Sequence, residues 1–247
     1  MTHESEKSAR TFRINPKLDA SGWKLGNVQT SRGPHRTQEE DTSNGPADYA
    51  LWLDGRIVAV VEAKNVTLGP QNVLTQAERY SRGLSSSEFD FNGMHCPFLY
   101  STNGEVIWFH DVRHPRNRSR RISRFHTPAA LAEMLKVDFD TATARAVAMP
   151  HDHPLLRPYQ KDANAAMEHA IADRKRDLLV AMATGTGKTY TLVNQIYRLM
   201  KSGVAKRVLF LVDRRALAAQ AVRAFSAFEA EPGRKFDQIY EVYSSKF

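Results

Sequence analysis

Asp48, Glu62 and Lys64 are the first residues whose types and order suggest chemistry: an acid, a second acid further along, and a lysine two positions after it. On a strand, Glu62 and Lys64 point to the same face because side chains alternate. Two carboxylates form a hard-oxygen site suited to Mg²⁺, and a neighbouring ammonium can orient water and hold developing charge. That combination suits phosphodiester hydrolysis, with Asp48 and Glu62 as metal ligands and Lys64 as catalytic cation. The same spacing also describes an ordinary solvated Glu–Lys pair, so the motif alone leaves both readings open.

A second group is Ala183-Thr184-Gly185-Thr186-Gly187-Lys188-Thr189, which follows the apolar run Leu178-Leu179-Val180-Ala181-Met182 and precedes a helical pattern. Strand, glycine loop and helix are the setting a nucleotide phosphate loop requires. Gly185 and Gly187 allow backbone N–H groups to turn inward around phosphate oxygens, and the helix N-terminus favours the same anion. Thr184, Gly185, Thr186 and Gly187 would cradle the phosphates. Lys188 would reach the β and γ phosphates of ATP, and the Thr189 hydroxyl would hold Mg²⁺. Met182 stands where the strict motif has its first glycine.

The elements that must position the first group are legible in the hydrophobic pattern. Residues 49–53 and 56–63 are β-rich runs separated by Asp54-Gly55, a strong hairpin signal. Val58-Ala59-Val60-Val61 is continuous rather than alternating, as in a strand buried on both faces. A strict two-residue hairpin would set Asp48 opposite Val61 and turn Glu62 to the other face. The site therefore requires a bulge or a three-residue loop between Asp48 and Ala59. Residues 71–84 read as a helix with Val73, Ala77, Tyr80 and Leu84 on one stripe. Residues 97–101 and 105–110 read as another strand pair, which completes an α/β sandwich. For the second group, 160–172, 189–200 and 215–228 read as helices. Residues 178–183 and 207–212 read as buried strands, the pattern of a parallel α/β sheet.

Between these segments, residues 113–124 carry Arg113, Arg116, Arg118, Arg120, Arg121 and Arg124. This is either a solvated loop or a surface that contacts backbone phosphates. Thr127-Pro128 opens a short helix, with Thr127 as N-cap and Pro128 at the first position. Residues 151–154 mark a boundary, giving domains 1–145 and 146–247.

The 247 residues carry 35 Lys plus Arg against 27 Asp plus Glu, a net charge of +8. This excess favours a polyanionic partner, although a basic soluble protein has the same balance. Cys96 is the one cysteine, which excludes an intrachain disulfide and points to a cytoplasmic setting and a buried structural thiol. No apolar run is long enough to span a membrane.

Gly45-Pro46-Ala47-Asp48-Tyr49-Ala50-Leu51, Val60-Val61-Glu62-Ala63-Lys64 and Gln76-Ala77-Glu78-Arg79-Tyr80 together resemble the nuclease domain of Type I restriction enzyme R subunits (HsdR). Ser101-Thr102-Asn103-Gly104 and the stretch from Leu18-Asp19 to Gly22-Trp23 resemble it too. That family belongs to the RecB-like, PD-(D/E)xK nucleases. The resemblance implies that Gln76 and Tyr80, one helical turn apart, flank the catalytic site, although core packing also explains Tyr80. Leu156-Arg157-Pro158-Tyr159-Gln160, the phosphate loop and residues 211–220 resemble successive motifs of superfamily 2 helicases, with Gln160 as adenine reader. The implied fold is a PD-(D/E)xK nuclease domain followed by a truncated RecA-like helicase lobe. No D-E-x-H box follows, so the chain reads as a fragment of a longer polypeptide that binds ATP without translocating DNA. The implied partners are double-stranded DNA and the methyltransferase and specificity subunits. The implied cofactors are Mg²⁺ and ATP. Two alternatives stand beside this reading. One is another nuclease–helicase fusion, of the Type III restriction or DNA repair kind. The other is a nucleotide-gated DNA-binding module with an inactive nuclease fold.

Overall fold

The computed structural model describes residues 6–64, 74–85 and 87–244. They form two compact units that divide between Lys136 and Val137, earlier than the expected division after residue 145. The helix that spans residue 145 packs with the helices that follow it.

The first unit is built on one six-stranded sheet. Its strands, in chain order and in spatial order, are β1 (His35–Glu40), β2 (Ala47–Leu53), β3 (Arg56–Ala63), β4 (Phe98–Thr102), β5 (Ile107–Asp111) and β6 (Arg120–Ile122). All neighbours are antiparallel except β3 and β4, which are parallel. The parallel connection needs a crossover, and helix α3 (Leu74–Arg82) lies within it. The expected helix thus begins no earlier than Leu74 in the described residues; its stripe residue Val73 lies outside them. At the hairpin, Asp54 and Gly55 have φ of 51° and 76°, the conformation a two-residue turn demands.

Each face of the sheet carries its own core. On one side Ile14, Leu18 and Trp23 pack with Tyr49, Val61, Phe98, Tyr100 and Phe109. Ile14 and Leu18 come from the opening helical segment, α1 (Glu6–Ala9), a π-helical turn (Arg10–Ile14) and α2 (Asn15–Ala20), which the hydrophobic pattern did not announce. Leu131 of α4 (Pro128–Lys136) joins the same core. Thr127 caps that helix as expected, its Oγ1 accepting from Ala130 N–H at 3.2 Å. On the other side Val60, Leu99 and Val112 pack with Ala77 of α3, Leu84 and Cys96. Burial of Cys96 pushes its thiol up to about 12, so it is an inert core group.

The second unit holds α5 (Phe139–Ala148), α6 (Pro158–Ala172), α7 (Lys188–Ser202) and α8 (Arg215–Ala227), followed by a small hairpin, β7 (Glu229–Glu231) and β8 (Arg234–Lys235). Its apolar core gathers Val193, Ile196 and Tyr197 with Phe225, Phe228 and Phe236. The α6–α7 contact is polar. Asn164 donates to Asn194 at 2.7 Å, and Arg198 pairs with Glu168 at 2.6 and 3.0 Å in the buried interior.

The expected parallel sheet is not present among the described residues of this unit. Residues 178–183 and 207–212 belong to no strand. Leu179 is 97% exposed and Leu209 80% exposed. A parallel strand needs hydrogen-bonded neighbours alongside it and cover on both faces. Neither segment finds a neighbour strand here, so apolar sequence alone does not make a strand of either.

Candidate functional site

The register of β2 against β3 places the acidic pair. Near the turn, Leu53 faces Arg56 and Trp52 faces Ile57; beyond a bulge, Leu51 faces Ala59, Ala50 faces Val60 and Tyr49 faces Val61. Val58 is the extra residue. Carried one position further, this register sets Asp48 across from Glu62, on one face of the sheet. The bulge falls within the stretch where the site required it.

Asp48 sits at the second position of β2, and one of its carboxylate oxygens accepts from Ala63 N–H at 2.7 Å. The other oxygen lies 3.2 Å from the Arg10 guanidinium, which also donates to the Asp48 carbonyl at 3.2 Å. Glu62 has a side chain only 3% exposed, and Lys64 lies 2.6 Å from its Oε1. So short a charge-assisted contact offsets part of the cost of burying the carboxylate. Tyr80 reaches this electrostatic field from α3. Burial raises its hydroxyl above the ordinary tyrosine value, and the charges of Glu62 and Asp48 add to the rise. Gln76 lies one turn earlier on α3 and is half-buried.

Two groups of this cluster were given no role from sequence, although Ser101 lay in a stretch that carried the resemblance. Arg10, on the π-helical turn, bonds Glu39 as well as Asp48 and lies 5.0 Å over the Tyr49 ring. Burial works against its charge, but Glu39, Tyr49 and Asp48 outweigh it and raise its pKa. A lone arginine in a polar opening segment carries no motif, and only the fold brings it to Asp48. Ser101 pairs directly with Glu62 across β3 and β4; it is fully buried, and its Oγ has no hydrogen-bond partner among the described residues.

The donor set suits a hard cation. Two carboxylates at one end of a sheet satisfy Mg²⁺ when waters complete its shell. No group of three or more His, Cys, Asp or Glu side chains that could hold a metal occurs among the described residues.

The phosphate loop lies in the second unit. Gly185 and Gly187 both have φ of 80°, which a side chain would strain, and Gly187 caps the N-terminus of α7. A Cβ on Gly187 would also meet the Gln160 amide nitrogen at 2.5 Å. Lys188 is exposed and folds back to donate to the carbonyls of Met182 and Ala183 at 3.1 and 3.0 Å. Thr189 follows it on the first turn of α7, half-buried, while Thr184 is exposed. Thr186 Oγ1 closes the loop by donating to the Ala183 carbonyl at 2.7 Å.

Gln160 is buried against this loop. Its amide nitrogen donates to the Thr186 carbonyl at 2.9 Å and its oxygen accepts from Arg157 N–H at 2.9 Å. Tyr159, one residue before, donates to the same Thr186 carbonyl at 3.0 Å. Reading an adenine edge would require Gln160 to exchange these bonds. A shallow depression beside it is lined by Tyr159, Ala163, Val180, Met182 and Thr186.

Comparison with known proteins divides along the same two units. Residues 35–135 match the family model for the second domain of the Type I restriction enzyme EcoKI endonuclease subunit. Residues 153–247 match the model for the res subunit of Type III restriction enzymes. The EcoKI endonuclease subunit of Escherichia coli (strain K12) is 32% identical over 292 aligned positions, covering 96% of this chain and 25% of that protein. The EcoAI endonuclease subunit of Escherichia coli is 30% identical over 213 positions, covering 80% of this chain and 25% of that protein. Among solved structures, a fragment of an HsdR subunit from Vibrio vulnificus YJ016 is 25% identical, with a TM-score of 0.42, covering 81% of this chain and 38% of that one. The chain spans about a quarter of the length of these curated relatives. No helix of the described residues is long and apolar enough to cross a membrane. In family terms, this α/β chain matches the R subunits of Type I restriction enzymes, and its second unit is related to the helicase-type ResIII proteins.

Proposed function

We propose that the chain carries the PD-(D/E)xK nuclease domain and the ATP-binding opening of the RecA-like motor of a Type I restriction R subunit. In this reading it hydrolyses DNA phosphodiesters with Mg²⁺, coupled to an ATP-driven DNA-translocating motor. The observation that carries it is the bulge-shifted register, which sets Asp48 against Glu62 with Lys64 at 2.6 Å. An ordinary solvated Glu–Lys pair would have no reason to bury Glu62 to 3% exposure beside a second acid.

Asp48 and Glu62 would hold the metal, which when bound supplies Lewis-acid polarisation of the phosphoryl oxygen and a more acidic water. Lys64 places a cation beside the pair, where negative charge develops on the phosphoryl group. Gln76 and Tyr80 border the site from α3. In the second unit, the backbone of residues 184–187 and the Lys188 ammonium would hold the ATP phosphates, and Thr189 its Mg²⁺. Gln160 would read the adenine edge after releasing Thr186. DNA and the methyltransferase and specificity subunits are the partners this reading requires, in the cytoplasm.

The test is plasmid cleavage by the intact subunit with those partners, with and without ATP and Mg²⁺. Lys64→Ala should lose cleavage by roughly 10²-fold or more, as expected for removing one preorganised charge from a transition state, while keeping ATPase activity. Lys188→Ala should lose both. Cleavage that survives Lys64→Ala places the centre elsewhere. The inactive-nuclease alternative draws on the Arg10 contact, since both Asp48 oxygens already have partners within the chain. Calorimetric Mg²⁺ titration separates the readings, because an inactive fold would show no binding that Asp48→Ala abolishes.

A further inference from the structure

The basic run 113–124 contains two contrasting kinds of arginine. Arg113 forks onto Asp111 at 2.8 and 2.9 Å and donates to the Met134 carbonyl at 2.6 Å. Arg120 lies 4.8 Å over the Phe109 ring. These two hold the fold. The side chains of Arg118, Arg121 and Arg124 make no hydrogen bond or ion pair among the described residues, and the three residues are exposed.

The register relates that charge to the acidic site. Glu62 pairs with Ser101, Ser101 with Trp108, and Trp108 with Arg121. Directly opposed residues point to the same face, so Arg121 ends a lateral row that begins at Glu62. Arg120 belongs to the opposite face with Phe109, which explains why it is spent on packing. Three strand spacings of about 4.8 Å separate β3 from β6, so Arg121 lies about 14 Å from Glu62 across the sheet. One strand of B-DNA advances about 3.4 Å per phosphate, so the row spans about four phosphates. β6 is the outermost strand on its side, so a long polyanion meets no further strand there.

We propose that β6 and its flanks, through Arg118, Arg121 and Arg124, seat the backbone of double-stranded DNA leading to the Asp48–Glu62 site. The inference rests on the nuclease reading and adds where the substrate lies. Guanidinium-to-phosphate contacts position a duplex without reading its sequence. The acidic site cannot attract DNA by itself, and the basic edge in the same row supplies the attraction that it lacks. A charged edge strand also discourages sheet-to-sheet pairing, and the experiment distinguishes that role.

The full chain is titrated against a fluorescein-labelled 30-base-pair duplex without divalent metal, at a series of salt concentrations, and anisotropy is read. Replacing all three arginines with alanine should lower the slope of log affinity against log salt by about 2–3, near 0.9 per lost phosphate contact. Affinity should fall at least tenfold. Arg121→Ala alone should lower the slope by about 1, and it keeps the test usable should the triple variant not fold. Lysine at all three positions should retain the slope. Slope and affinity equal to wild type in the folded triple variant overturn the proposal and leave the nuclease reading intact, as does an effect on aggregation alone. Normal cleavage by Lys64→Ala together with the expected loss in the triple variant overturns the nuclease reading and leaves the DNA seat standing. A wild-type chain without duplex affinity overturns the seat directly.

Discussion

The two units put apolar runs of sequence to different ends. In the first, every strand has a neighbour, and both faces of the sheet are covered, so Val58, Ala59, Val60 and Val61 are fully buried. In the second, 178–182 and 208–212 are equally apolar, yet Leu179, Leu209 and Leu211 stand 79–97% exposed. Its helices α6 and α7 meet through Asn164–Asn194 and Glu168–Arg198 instead. The difference shows that a strand is a property of its neighbours. Apolar residues become core only when hydrogen-bonded strands and covering helices are both supplied.

The largest expected effect breaks the polar interior of the second unit. Arg198 reaches the carbonyls of Ala146, Met149 and Pro150 as well as Glu168. Arg198→Met should destabilise that unit by about 3–5 kcal/mol, because the buried Glu168 loses its guanidinium partner and keeps the His151 ring, at 3.3 Å, as the remaining neighbour of this pair of contacts. Arg198→Met with Glu168→Leu should recover much of the loss. Urea denaturation followed by hydrogen exchange in α6 and α7 reads both. Equal losses in the single and double variants would mean that Arg198 acts through the carbonyls alone.

A pH effect should belong to the first unit. Burial lowers His126 to about 4, with the charge of Arg120 adding to the effect, and its ring nitrogen meets the Tyr100 hydroxyl at 2.9 Å. Unfolded, the imidazole has its ordinary value of 6.5. Between those values the unfolded chain binds a proton that the folded unit refuses, so stability rises with pH through the window and is lost on acidification. His126→Gln should flatten this part of the urea-midpoint profile. An unchanged slope would assign it to other groups.

The smallest effect sharpens the comparison. Leu179→Ser should change the stability of the chain by no more than about 0.5 kcal/mol, as for a surface site, whereas burial would make it a large loss. A loss above about 1 kcal/mol in the thermal transition would show that residues 178–182 are packed after all.

Local signals made much of this molecule legible. Asp54-Gly55 marked the hairpin, because positive φ at two successive positions suits those residues. The spacing of Asp48, Glu62 and Lys64 even required the bulge that β2 and β3 contain. Gly185-Thr186-Gly187-Lys188 and the helix after it followed from glycine freedom and helical period. The opening helical segment, β1 and β6 were not legible, because short or polar stretches carry little periodicity. Tertiary structure alone brought Arg10 to Asp48, set Ser101 beside Glu62, turned Gln160 onto Thr186, and placed Arg121 in the row of Glu62. It alone also left 178–182 and 207–212 without strand partners. Local sequence determines turns, caps and faces, because those depend on a few adjacent dihedrals. Which faces meet depends on contacts between residues far apart in the chain, and only the folded structure decides those.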